Sequence, residues 1–271
     1  MVELFETSRI ETENKSSKGN QLKWRDGDTW YKADYTGYEG LAEYVISHLL
    51  VHSSLAPSEF LLYELEDIRY KSSIYHGVKS KHFLRDDWQL ITLERLFKNT
   101  YGQSLNTLIY KTKNIDNRLK LIVDETERIT GLRDFGAYMA KMLTIDSFFL
   151  NEDRHTHNIA VLVNGKSEYA LCPIFDQGAG LLSDTSMDYP LDGDIYEMID
   201  SVKAKTFCDS FLEQLETAEG LYGRCITFNF GKKDVDSILD SIPSDMYPRE
   251  ILERVRTICY ERIRQLGYLF S

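Results

Sequence analysis

The chain lacks paired cysteines, long apolar runs and an excess of positive charge, and each absence excludes something. Its four cysteines, Cys172, Cys208, Cys225 and Cys259, lie far apart with no CxxC spacing. That pattern argues against a zinc ribbon or a disulfide scaffold and leads us to expect reduced thiols in the cytoplasm. No stretch reaches membrane-spanning length, and the opening MVELFETSRIETENKSSKGN is polar with no apolar centre, so neither a signal peptide nor an anchor is expected. With 32 Lys and Arg against 43 Asp and Glu, the net charge is −11. This opposes general attraction to nucleic-acid backbones or anionic lipid, while leaving room for a local basic pocket. A GxSxG elbow is absent, which disfavours a serine hydrolase. Internal repeats, low-complexity tracts and flexible linkers are absent too. What is present is 271 residues with 42% hydrophobic content, enough for a sizeable core.

Residues 21–35, QLKWRDGDTWYKADY, alternate aromatic and polar positions on either side of Asp26-Gly27-Asp28 and are predicted to form a hairpin. Residues 37–52 place Leu41, Tyr44, Val45, His48 and Leu49 at helical spacing. EFLLYELEDI and YKSSIYHGVKSKHFL return to strand character, and from WQLITLERLF onward helical periodicity is expected through residue 150. IAVLV and YALCPIF read as a second hairpin joined at Asn164-Gly165, and the tail from about residue 194 reads as helical. The order predicts an α+β chain, with a small mixed lobe over residues 1–88 and a larger helical lobe over residues 89–271.

The densest chemistry lies in NEDRHTHN, residues 151–158, directly after the apolar FGAYMAKMLTIDSFFL. Asp153 and Asn158 in that loop, with Asp176 at the end of the second hairpin, offer oxygen ligands for magnesium plus one acidic group for a substrate hydroxyl. DRHTHN followed by DQG resembles the catalytic loop and metal-binding triplet of HipA-like kinases, and phosphoinositide-3-kinase-like enzymes share a similar DRHxxN pattern. SSKGNQLKW likewise resembles the SxGxQxK phosphate-binding loop of the HipA-like family. The resemblance implies a two-lobed protein-kinase-like fold using ATP and Mg2+. On it, Asp153 is the base, Asn158 and Asp176 hold the metal, and Ser17, Gly19, Gln21 and Lys32 contact the nucleotide. A kinase lysine needs a bracing carboxylate; Glu39 and Glu43 lie one turn apart on the following helix, and Glu39 is the expected partner. Gln177 stands where many kinases have Phe, so a packing-controlled switch is not implied there. The family further implies a protein serine or threonine as acceptor, self-modification at Ser16 or Ser17, and an antitoxin partner, with no nucleic acid bound by the chain itself and no membrane. A lipid or small-molecule kinase and a nucleotide-binding pseudokinase are the competing readings.

Two other patterns carry less. AVLVNGKS, residues 160–167, satisfies a relaxed P-loop pattern, but strands on both sides of Asn164-Gly165 make it a hairpin tip. Asp153, His155 and His157 alternate like metal ligands, yet a third strong ligand set is missing. His155 is expected to orient the loop and Asp176, His48 to pack in the core, and Arg154 and His157 to be surface or substrate contacts.

Overall fold

In a computed structural model the described residues are 1–10 and 21–271. The first third builds a sheet with one helix laid on it: β1 (Val2–Leu4), β2 (Lys23–Asp26), β3 (Thr29–Ala33), α1 (Glu39–Leu50), β4 (Glu64–Tyr70) and β5 (Ser73–Lys81). The strand order is β1-β4-β5-β3-β2, with β1 parallel to β4 and the other pairs antiparallel. The β2–β3 hairpin turns as its sequence suggests, through Gly27 at φ 55°. Trp24 and Tyr31 are register partners and bury one sheet face with Leu4, Ala33, Ile68 and Tyr70. Strand side chains alternate, so the partner pair Lys23 and Lys32 is carried on the opposite face, toward α1.

Helix α1 sits close to the sheet because two glycines meet. A Cβ on Gly40 would stand 2.9 Å from Gly77 Cα, and one on Gly77 would stand 2.1 Å from the Lys32 carbonyl oxygen. The absence of a side chain on Gly40 lets α1 approach β5 so closely, and its absence on Gly77 lets β5 lie against the β3 backbone. One turn beyond Gly40, Glu43 is thereby held over Lys32.

The chain continues with β6 (Trp88–Thr92), α2 (Leu93–Tyr101), α3 (Leu105–Lys111), α4 (Ile115–Thr130), α5 (Phe135–Phe149), β7 (Ala160–Asn164) and β8 (Tyr169–Leu171). It ends with α6 (Ile195–Ser201), α7 (Phe211–Tyr222), α8 (Lys232–Asp240) and α9 (Arg249–Gln265). WQLIT departs from the helical expectation: it is strand β6, pairing with β7 in a second sheet of order β6-β7-β8. The helix starts only at Leu93, where the Thr92 hydroxyl caps it by accepting from Arg95 N at 3.3 Å. Strand β1, too short to show periodicity, was not foreseen. The second hairpin forms as read. Its tip is closed by Asn164, whose Oδ1 accepts from Lys166 N at 3.0 Å and Glu168 N at 2.9 Å, so these amides are turned inward rather than presented as a phosphate cradle.

Helix α5 is buried nearly all round and anchors the larger core; Phe148 packs against Phe228 at 4.9 Å and Phe230 at 5.5 Å between ring centroids. The helix stops without glycine or proline because Leu150 itself adopts a left-handed conformation, φ 57°. That conformation is unusual for a branched apolar residue. Burial of Leu150 at 2% exposure and a bond from Asn151 N to Asp146 O at 2.9 Å hold it there. Among the described residues no helix is long and apolar enough to cross a membrane.

Candidate active site

Lys32 is the hub of the site. Its ammonium donates to Glu43 Oε1 at 2.5 Å and to Asp176 Oδ1 at 2.7 Å, and it lies 5.2 Å from the centre of the Tyr63 ring. Burial works against its charge, but the carboxylates of Asp176 and Glu43 outweigh that and hold Lys32 protonated well above its ordinary range. Asp176 shows the mirror image. Burial would raise its carboxyl, yet Lys23, Lys32 and Arg154 together hold it well below the usual carboxylate range. Lys23, the last residue of the SxGxQxK-like stretch, reaches within 3.9 Å of Asp176 Oδ1. Sequence reasoning gave that lysine no role.

The expected Glu39 partner is corrected by the structure. Glu39 is the first residue of α1 and turns back onto the loop before it, accepting from Tyr35 N, Thr36 N and Gly37 N at 2.8–3.2 Å and from the Thr36 hydroxyl at 2.8 Å. Backbone N–H groups of a loop have no ladder partner and draw a carboxylate placed beside them. Glu43, one turn further and 1% exposed, is left to meet Lys32. Its second oxygen accepts from Gln177 N at 3.2 Å, so α1 and the DQG turn share one carboxylate.

Arg154 is the second correction, since it is neither surface nor substrate contact. At 2% exposure it donates through Nε and Nη2 to the two oxygens of Asp146, at 2.9 and 3.0 Å. Its Nη1 donates to the carbonyls of Asn158 at 3.1 Å and Phe175 at 2.8 Å. One nitrogen thus ties the loop end at Asn158 to the residue before Asp176, across the intervening hairpin. Asn158 donates its side-chain amide to the Asp153 carbonyl at 2.9 Å, leaving the amide oxygen outside that bond. His155 bears on the loop's own carboxylate, Nε2 lying 3.7 Å from Asp153 Oδ1, and its ring stands edge-on to His157. Thr156 is clamped from α2: its hydroxyl donates to Glu94 Oε2 at 3.1 Å. His48 is half-buried at the edge of the core, with Nε2 3.1 Å from the Tyr63 carbonyl and its ring against Tyr44.

The residues fit the groups the motifs imply. Asp176 and Asn158 are hard oxygen donors suited to magnesium, and Lys23 and Lys32 beside them suit phosphate. Gln21 adds a buried side-chain nitrogen with no acceptor among the described residues, a donor available to an anionic ligand. Ser16, Ser17 and Gly19 lie outside the described residues. Among the described residues no three His, Cys, Asp or Glu side chains converge as a metal-binding group, so Asp153, His155 and His157 do not make a transition-metal site. Tyr63, 2% exposed, was missed by sequence reasoning; its hydroxyl stands 3.4 Å from Lys32 Nζ and 3.5 Å from Asp176 N.

No family model and no curated protein matches the chain. A solved structure does: the Helicobacter pylori proinflammatory kinase CtkA, with a TM-score of 0.63 and 19% identity over 92% of each chain. The chain shares that kinase's fold. HipA in a complex with HipB and operator DNA from Shewanella oneidensis MR-1 aligns at a TM-score of 0.48 and 11% identity, over 96% of this chain and 67% of that one. In this kinase-like frame, the helix carrying Glu43, the strand carrying Lys32 and the turn carrying Asp176 meet at one point.

Proposed function

We propose that the protein is an ATP-dependent serine/threonine protein kinase of the HipA-like type. What supports this most is one cluster: Lys32, on a strand, contacts both Glu43 of α1 and Asp176 of the DQG turn, while Arg154 fastens that turn to the Asp153 loop. Residues 1–88 would grip the nucleotide and residues 89–271 would supply the loop. Lys32 and Lys23 would neutralise nucleotide phosphates, and Glu43 would keep Lys32 aimed. Asp153 would accept the acceptor's hydroxyl proton as its oxygen forms the new bond to the γ-phosphorus and the bond to the leaving phosphate oxygen breaks. Asn158 and Asp176 would hold Mg2+, which supplies charge neutralisation for the transferring phosphoryl group when bound. The protein acceptor and an antitoxin partner rest on the motif resemblance.

Transfer of radiolabel from ATP to the protein itself and to a lysate, with and without magnesium, tests the reading. Asp153→Asn is expected to lose about 10²–10⁴ in rate with nucleotide affinity retained. Undiminished transfer by that variant would remove Asp153 from its role. Label appearing in lipid or small metabolites alone would reassign the acceptor, and nucleotide binding without any transfer would make the protein a pseudokinase.

A further inference from the structure

Gln177 occupies the position between Asp176 and Gly178 that a large apolar side chain fills in many kinases, and here it is 3% exposed. Its backbone N donates to Glu43 Oε2 at 3.2 Å. Its side-chain Oε1 accepts from Asn151 Nδ2 at 3.0 Å, and Asn151 Oδ1 in turn accepts from Asp153 N at 3.3 Å. Hydrogen bonds therefore run from the Lys32–Glu43 pair, through Gln177 and Asn151, to the backbone of Asp153. The remaining amide nitrogen of Gln177 is buried with no acceptor among the described residues.

Magnitudes decide what this residue is for. A neutral hydrogen bond contributes about 1 kcal/mol net, whereas a buried unsatisfied donor costs about 1–3 kcal/mol. The side chain therefore gives no stability that a leucine of similar size would lack. We propose that Gln177 is a positioning residue that couples the nucleotide-side pair Lys32–Glu43 to the Asp153 loop by hydrogen bonding, where other kinases use packing. The inference rests on the phosphotransfer reading for its kinetic consequence but not for its structural one.

One variant and two readouts test it. Gln177→Leu keeps the bulk and removes both amide groups. It is expected to unfold at or above the wild-type midpoint while lowering kcat about tenfold or more, with KM for nucleotide within about twofold. Amide exchange in residues 151–158 is expected to speed up while exchange in α5 stays unchanged. Gln177→Leu with wild-type kcat and unchanged exchange in the loop would overturn the proposal. Were the wild-type protein to transfer no phosphoryl group, the functional reading would fall, and the exchange comparison would still decide the role of Gln177.

Discussion

Asp146 and Asp176 both meet cations in the interior, and they meet them differently. Asp146 is 1% exposed and its oxygens are taken by both forks of Arg154, with Asn151 Nδ2 adding a third bond at 2.9 Å. Asp176 keeps 20% of its side chain exposed and faces two lysines from the sheet, one of them already shared with Glu43. The first cluster is saturated and has nothing left to offer a ligand; it ties α5, the Asp153 loop and the DQG turn together. The second holds two ammonium groups and a partly open carboxylate, which is what an incoming metal–phosphate group needs. Two ion clusters of similar composition thus differ in how many of their hydrogen-bonding positions remain unspoken for, which suits the first to a scaffold and the second to the proposed site.

Substituting each carboxylate in turn would break that comparison most sharply. Asp146→Asn leaves Arg154 buried against a neutral partner and is expected to cost about 3–5 kcal/mol in denaturant unfolding. Asp176→Asn leaves Lys32 with Glu43 and is expected to cost less than that because a second carboxylate remains for the lysine, while magnesium-dependent nucleotide binding falls at least about tenfold by calorimetry. Equal losses of stability would mean that both pairs are scaffold. Gly40→Ala pushes α1 away from β5 and should cost about 1–3 kcal/mol, weakening nucleotide binding with it because Glu43 moves off Lys32; a gain in stability would show that the close approach is unimportant.

A last effect concerns pH. Burial, then repulsion from Glu39, raises the Asp34 carboxyl from 3.8 to about 8, against bonds from Gly40 N and Tyr247 OH. The folded chain therefore holds a proton there that the unfolded chain releases above about 4. Its contribution to stability is complete below that point and is lost as pH rises through about 8. Asp34→Asn, neutral throughout, should flatten the thermal midpoint over this window, and an unchanged slope would dismiss Asp34 as its source.

Much of the local structure was legible. Both hairpins announced themselves through Asp26-Gly27-Asp28 and Asn164-Gly165, because turn dipeptides act locally. Asp153, Asn158 and Asp176 could be named as a group from residue type and order. Strand β6 was hidden, since Trp88–Thr92 is extended only through its partner β7, far along the chain. Glu39 and Glu43 are equivalent in helical phase, and which of them braces Lys32 depends on the N–H groups of the loop before α1, which hold Glu39. Arg154 read as polar and exposed because nothing near it in the chain reveals that Asp146 will be buried beside it.

The sequence by itself determined the turns, the periodic elements and the inventory of carboxylates, amides and lysines, all of which depend on neighbours a few residues apart. Only the tertiary structure decided which of those groups became partners. Pairing of buried charges is set by desolvation and by distances between segments remote in the chain, and neither is written in any short stretch of residues.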